Sequence, residues 1–303
     1  MSTVVLKVDV DTLRGTLQGV PRLIELFGRF GARATFLFSL GPDHTGRAIR
    51  RVLRPGFVGK VGRTSVTRHY GYRTLLYGTL LPGPDIARRA GHVMRAAADA
   101  GFETGVHTFD HVRWQDFVAR RGARWTQREM DKAFAAYRGV FGRDAAVHGA
   151  AGWQMNDHAF AYERALGLAC ASDTRGTGPF VPAVGGERLP TVQIPTTLPT
   201  LDELVGRDGW TEANVAEGVL GAWQEARSGL QVYTLHAELE GMRLLPAMER
   251  LLGAWHDSGC RLSALEDAAR ELDAQALPAH QVVMGTVPGR SGRLATQGPR
   301  LDS

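Results

Sequence analysis

The feature that most constrains the fold is an alternation that runs almost the whole length of the chain. Short apolar runs of strand length are separated by longer stretches whose apolar residues recur every three or four positions. Thr3 to Val10, Arg33 to Leu40 and Glu103 to His107 read as buried strands, and Val20 to Phe30 and Ile86 to Ala100 as the helices between them. Thr126 is placed to cap a helix through Val140, with Glu129 completing a capping box. Further strands are expected at 145–149, 168–172, 192–195, 231–236 and 261–265, and helices at 157–166, 211–227 and 244–258. Strands separated by helices imply parallel βαβ units, in a doubly wound sheet or a barrel. About seven such units, without a second composition regime, favour one barrel-like domain over residues 1–284. The Gly-, Pro-, Arg- and Ser-rich segment 285–303 is expected to be loosely ordered.

Chemistry-bearing side chains recur where predicted strands end. Asp9 and Asp11 close the first strand, and their i, i+2 spacing puts both carboxylates on one face. His107 ends the third strand and His111 follows four residues later. Asp173 and Arg175 follow the strand near Ala171, and His236 ends QVYTLH. Each has a plainer reading: Asp-x-Asp is also a turn and helix cap, and a lone His236 is also a packing histidine. Their convergence on one rim is not something core packing requires, and in barrels that rim carries the active site. Two imidazoles and a carboxylate form a metal set with open positions for water and substrate. A spare carboxylate and a separate histidine then suit general base and general acid.

These residues sit in segments that resemble a known family. Strand-terminal aspartates, an H-x3-H pair and a late strand ending in Leu-His are similar to the polysaccharide deacetylases, carbohydrate esterase family 4. Over KVDVDTLRGTLQGVPRL, FSLGPDHTGR, GVHTFDHVRWQ, AAGW, SDTRG, QIPTTLPTLDE and VYTLHAELEG, the chain resembles the branch of that family that deformylates 4-deoxy-4-formamido-L-arabinose on undecaprenyl phosphate. The resemblance implies a distorted (β/α)7 barrel and hydrolysis of an N-formyl group to a free amine and formate. It also implies a place in lipid A modification and resistance to cationic antimicrobial peptides. Carried over, it makes Asp9 the base, Asp11, His107 and His111 the ligands of one divalent ion (zinc, manganese, cobalt or iron), and His236 the acid. The family's two aspartates are adjacent. Here Val10 separates them, so the two roles could be exchanged. The arginine that orients the base in the family is missing from HGAAGWQ; Arg175 is the first candidate replacement and Arg14 the second. Trp153 is a candidate wall of the sugar pocket or a core tryptophan. Glu238 and Glu240 are candidates to hold His236 or bind the substrate amine. The alternatives are a deacetylase of another N-acylated sugar and, from a different class, a basic nucleic-acid-binding protein.

Charge points the same way as the lipid substrate. The net charge is +5, and no acidic residue lies between Asp43 and Asp85. That stretch carries Arg50, Arg51 and Arg54 among its basic residues, interleaved with Leu75, Leu76, Tyr77, Leu80 and Leu81. Basic and apolar side chains together describe an insert that lies on an anionic membrane surface. RNA contact is the competing reading, for which the aliphatic content is surplus. The N-terminus, with Lys7, Asp9 and Asp11 inside it, is not that of a signal peptide, and no apolar run is long enough to span a bilayer. The expected setting is the cytoplasmic face of the bacterial inner membrane, with Cys170 and Cys260 as reduced thiols.

Overall fold

A computed structural model of the protein describes residues 2–48, 72–226 and 229–301. Its centre is a seven-stranded parallel sheet: β1 (Thr3–Val10), β2 (Thr35–Ser39), β3 (Glu103–Thr108), β4 (Val147–His148), β5 (Cys170–Ala171), β8 (Leu230–His236) and β9 (Arg261–Ser263). The spatial order is β5-β4-β3-β2-β1-β8. Along one edge of β1, β9 pairs with Thr3 to Val5 and β2 takes over from Lys7 to Val10. The segment expected as a strand at 192–195 is extended and has a topological task. Ile194 donates to the Ala171 carbonyl at 2.8 Å, and Leu198 donates to Val232 at 3.1 Å. It therefore ties the β5 edge to the β8 edge and closes the distorted barrel.

The two faces of β1 show how the pattern works. Val4, Leu6, Val8 and Val10 pack outward into the main core, under α1 (Val20–Arg29) and α2 (Ile86–Asp99). Val5 points inward with Leu37, Val147, Ile194 and Val232. Continuing inward at every second residue come Lys7, Asp9 and Asp11, all under 9% exposed. The barrel interior is thus apolar at its base and ionic at its C-terminal rim. β8 repeats the scheme: Tyr233 and Leu235 belong to the outer core, which leaves Thr234 and His236 facing in.

Two local expectations are corrected. Thr126 and Glu129 do not cap: the helix there, α4 (Ala123–Phe141), begins three residues earlier, after Gly122 and the short α3 (His111–Phe117). Thr126 instead accepts from Asn156 Nδ2 at 2.9 Å. Second, the described residues beyond Gly285, 286–301, include a strand rather than a loose tail. β10 (Ala279–Gly285) and β11 (Leu294–Arg300) form an antiparallel hairpin, joined by β6 (Val181–Val184) and β7 (Glu187–Arg188) in a second sheet. Composition misleads here because Gly289 and Gly292, with φ of +87° and +77°, serve the connection between two strands. Cys170 is buried, Cys260 half-buried, and neither forms a disulfide.

Arg50, Arg51 and Arg54 lie outside the described residues. At the described end of the insert, Leu80 is 81% exposed and Leu81 37%, while Leu75, Leu76 and Tyr77 are half-buried. Among the described residues no helix is long and apolar enough to cross a membrane.

Candidate active site

Asp11, His107 and His111 converge at the rim. Asp11 Oδ1 lies 3.2 Å from His107 Nε2, and Asp11 Oδ2 lies 3.3 Å from His111 Nε2. One ligand atom from each falls within 4.8 Å of the other two. Asp11 Oδ1 is buried and makes no hydrogen bond of acceptable geometry, even to His107. Three ligand atoms this close together, one of them a buried carboxylate oxygen without a hydrogen bond, fit a cation between them. His107 is also set up as a ligand, because its Nδ1 donates to the Gly149 carbonyl at 2.6 Å and leaves the Nε2 lone pair towards Asp11. Burial alone would raise the Asp11 carboxyl. The imidazoles of His111, His107 and His236 outweigh it and hold the group well below the usual carboxylate range.

Asp9 is 3% exposed and borders this set, with its Oδ1 3.8 Å from His107 Nδ1. Its Oδ2 pairs with Lys7 Nζ at 3.2 Å, and its Oδ1 is buried with no hydrogen-bond partner. Lys7 is the residue that sequence reasoning missed. It is fully buried, and its ammonium lies 5.2 Å from the centre of the Trp153 ring. The signal was available, since Lys7 is two residues before Asp9 on the same inward face. Neither arginine candidate takes this place. Arg175 Nη1 pairs with Glu203 Oε1 at 2.5 Å and its Nη2 donates to the Leu198 carbonyl; Arg14 bonds Gln18 on its own turn.

Trp153 is 1% exposed, so it is enclosed rather than lining an open wall. It adopts φ of +52°, costly for a large side chain, next to Gly152 at +60°. Its indole donates to Thr196 Oγ1 at 3.1 Å, and its ring is faced by Lys7, Arg175 and Arg290.

Glu238 and Glu240 both serve the rim, Glu240 by holding His236 as expected and Glu238 by a different contact. Glu238 Oε1 accepts from the Asp11 and Thr12 backbone N–H groups at 3.0 and 2.8 Å and from the Thr12 hydroxyl, so it ties the end of β8 to the end of β1. Burial, then Asp11, pushes its carboxyl up to about 8. π-helical turns follow both strands, Gly15–Gly19 after β1 and Leu239–Arg243 after β8. They approach so closely that a Cβ on Gly241 would sit 2.7 Å from the Gly19 Cα. Glu240 fixes the backbone of His236, accepting its N–H at 2.9 Å and the Tyr233 hydroxyl at 3.0 Å. The His236 ring faces Asp202, with Nδ1 to Oδ1 at 4.0 Å. Burial would lower His236, but Asp202, Asp11 and Glu240 outweigh it and raise the imidazole above its ordinary value.

Asp173 belongs to a second buried group, with His148 and Glu163. His148 Nδ1 lies 2.6 Å from Glu163 Oε1 and 2.9 Å from Asp173 Oδ1. Burial opposes charge on His148, yet the two carboxylates push it up to about 10. Asp173 also accepts the Ala150 N–H at 2.8 Å, fixing the turn whose Gly149 carbonyl orients His107. Through that turn Asp173 supports the position of His107.

The comparisons agree with this geometry. No family model matches the chain. A Shewanella sediminis (strain HAW-EB3) protein named as a probable 4-deoxy-4-formamido-L-arabinose-phosphoundecaprenol deformylase is 34% identical over 98% of this chain and 95% of its own. A Wigglesworthia glossinidia brevipalpis protein of the same name is 28% identical over 93% and 98%. Among solved structures, a Mycobacterium smegmatis protein assigned to the polysaccharide deacetylases superposes with a TM-score of 0.64. It is 16% identical, over 94% of this chain and 96% of its own. The fold is therefore that of the polysaccharide deacetylases, and the chain belongs to the 4-deoxy-4-formamido-L-arabinose-phosphoundecaprenol deformylases, a family of amide hydrolases.

Proposed function

We propose that this protein removes the N-formyl group from 4-deoxy-4-formamido-L-arabinose carried on undecaprenyl phosphate, releasing formate and the free amine. The observation that carries the reading is the division of labour at the rim. Asp11, His107 and His111 each bring one ligand atom within 4.8 Å of the other two while Asp11 Oδ1 lacks a hydrogen-bond partner, and a second buried carboxylate, Asp9, keeps one oxygen without a hydrogen bond.

Asp11, His107 and His111 would hold a divalent ion, which would polarise the formyl carbonyl and lower the pKa of bound water towards about 7. Asp9 Oδ1 takes the proton from the attacking water, and Lys7 holds the other oxygen so that Oδ1 stays turned into the site. His236, whose imidazole the surrounding carboxylates raise above its ordinary value, gives a proton to the departing nitrogen. This keeps the Asp9 and Asp11 roles as the family resemblance assigns them, with Lys7 in place of the missing arginine.

The same reading places the protein on the cytoplasmic face of the bacterial inner membrane. There the amine it uncovers serves lipid A modification and resistance to cationic antimicrobial peptides. The basic insert 43–85 would meet anionic lipid, a role supported by the exposure of Leu80 and Leu81 at its end. The deciding experiment is mass spectrometry of the formylated amino-sugar lipid after incubation with the purified protein and a divalent metal. Loss of one formyl group is the expected result. An unchanged lipid, with a matched N-acetyl sugar deacetylated instead, would overturn the proposal.

A further inference from the structure

The second sheet has no part in the chemistry so far, yet it delivers one side chain into it. The connection between β10 and β11 carries Gly289 and Arg290. Arg290 grips Asp202 with two nitrogens, Nη1 to Oδ2 at 2.9 Å and Nη2 to Oδ1 at 2.9 Å. Its Nε donates to Glu203 Oε1 at 2.8 Å, and Nη2 also reaches Thr200 Oγ1 at 2.9 Å. Its guanidinium lies 4.7 Å over the Trp153 ring. Such a planar, forked contact fixes both oxygens of a carboxylate, which a lysine cannot do. The docking is close in the backbone too. A Cβ on Gly289 would lie 2.6 Å from the Glu203 carbonyl oxygen, and its φ of +87° suits glycine alone.

What Arg290 holds is the carboxylate facing the acid. Asp202 Oδ1 is 4.0 Å from His236 Nδ1, a buried nitrogen with no hydrogen-bond partner among the described residues. Asp202 can turn about its own side chain. The Thr200 hydroxyl also donates to Asp202 Oδ1, at 2.5 Å, but without the fork that single bond would have to hold a carboxylate that is 26% exposed, and it could no longer fix both oxygens against His236. The imidazole would then lose the anion that orients Nδ1 inward and Nε2 towards the substrate.

We propose that Arg290 is a positioning residue for His236, acting by clamping Asp202, and that the β10–β11 hairpin is a working part of the active site. The inference rests on the assignment of His236 as the general acid. The clamp matters only when the leaving group needs a proton, which separates it from a purely structural role.

The test uses the full-length, metal-loaded protein and two substrates: the formamido-sugar lipid, whose amine must be protonated to leave, and an aryl formate, whose phenolate leaves without protonation. Arg290→Met is expected to lower kcat on the amide roughly tenfold, as loss of an orienting partner does. KM and aryl formate turnover should stay near wild type. Arg290→Lys should keep part of the amide rate, and Gly289→Ala, which disturbs the docking without removing the guanidinium, should reproduce the selective loss. Adding Arg290→Met to His236→Ala should cost nothing further. Equal losses on both substrates, an unchanged amide rate, or additive losses in the double variant would overturn the clamp. If His236→Ala itself falls equally on both substrates, the acid assignment fails. If His236→Ala is selective and Arg290→Met is not, only the clamp fails.

Discussion

Lys7 is the side chain whose replacement tests the proposed chemistry most directly. Lys7→Met keeps the length and most of the volume of a stem packed closely enough that a Cβ on Gly149 would lie 2.9 Å from its Cε. No cavity is created, so the perturbation is the charge. At 3.2 Å the attraction between Lys7 and Asp9 is about 5 kcal/mol for an effective dielectric of about 20. Removing one partner of a buried pair costs about 3–5 kcal/mol, because the other is left buried without a counter-charge. Urea unfolding should therefore show Lys7→Met less stable by about 3 kcal/mol or more. Asp9 loses the bond that turns Oδ1 into the site, so formate release should slow by about 100-fold, the low end of what a general base contributes. Metal content, measured by elemental analysis, should stay at the wild-type level, since Lys7 contacts none of the three proposed ligands. Asp9→Asn should slow the reaction as much, and the double variant no more than either. Wild-type formate release by Lys7→Met would refute the reasoning. Metal loss in that variant would show that Lys7 supports the ligand set instead.

Other expectations follow from the same geometry. His107→Ala and His111→Ala should each strip metal from the purified protein and abolish activity, whereas wild-type metal in both would remove them from the ligand set. Glu103, at the opposite end of β3, is pushed by burial from 4.5 up to about 7, despite bonds from Thr35 and the Glu266 N–H that favour its charge. The folded protein then holds a proton that the unfolded chain has released. This contribution is complete below 4.5 and is lost as pH rises through about 7. Stability should fall between pH 5 and 8, and Glu103→Gln should lessen the fall; an equal decline in the variant would exclude Glu103 as a source. Charge reversal at Arg50, Arg51 and Arg54 should release the protein from anionic vesicles in a flotation assay while sparing a soluble short-chain substrate. Undiminished flotation would remove the insert from membrane binding.

The legible parts of this protein are those in which one signal carries the answer. β1 and the helix Asp157–Leu166 stand where their patterns put them, because a doubly buried strand and a capped amphipathic helix are local facts. Asp11, His107 and His111 were legible because ligand type and strand-end position coincide. Lys7 was passed over because a charged residue inside an apolar strand reads as an interruption until its inward neighbours are known. Asp202 and Arg290 had no signal. Their meaning is a contact between segments 88 residues apart, and the glycines that make the connection compact also imitate a loose tail. The arginine expected from the resemblance was sought among arginines, and the pair on Asp9 uses a lysine.

The register of β1 against β8 has a consequence for biosynthesis. β1 lies against β8 from Thr3 to Asp9, so that Asp9 stands opposite His236. Asp11 and Thr12 are held by Glu238, with 227 residues between Asp11 and that carboxylate. A chain emerging from the ribosome therefore carries its first strand, with one edge open, until most of the sequence has been made. That is a slow, high-contact-order route with an aggregation hazard on the way. Lys7 and the two aspartates, solvated while they wait, give the nascent edge the charges that keep unpaired strands apart. The residues proposed for hydrolysis would then also guard the strand that carries them before any active site exists.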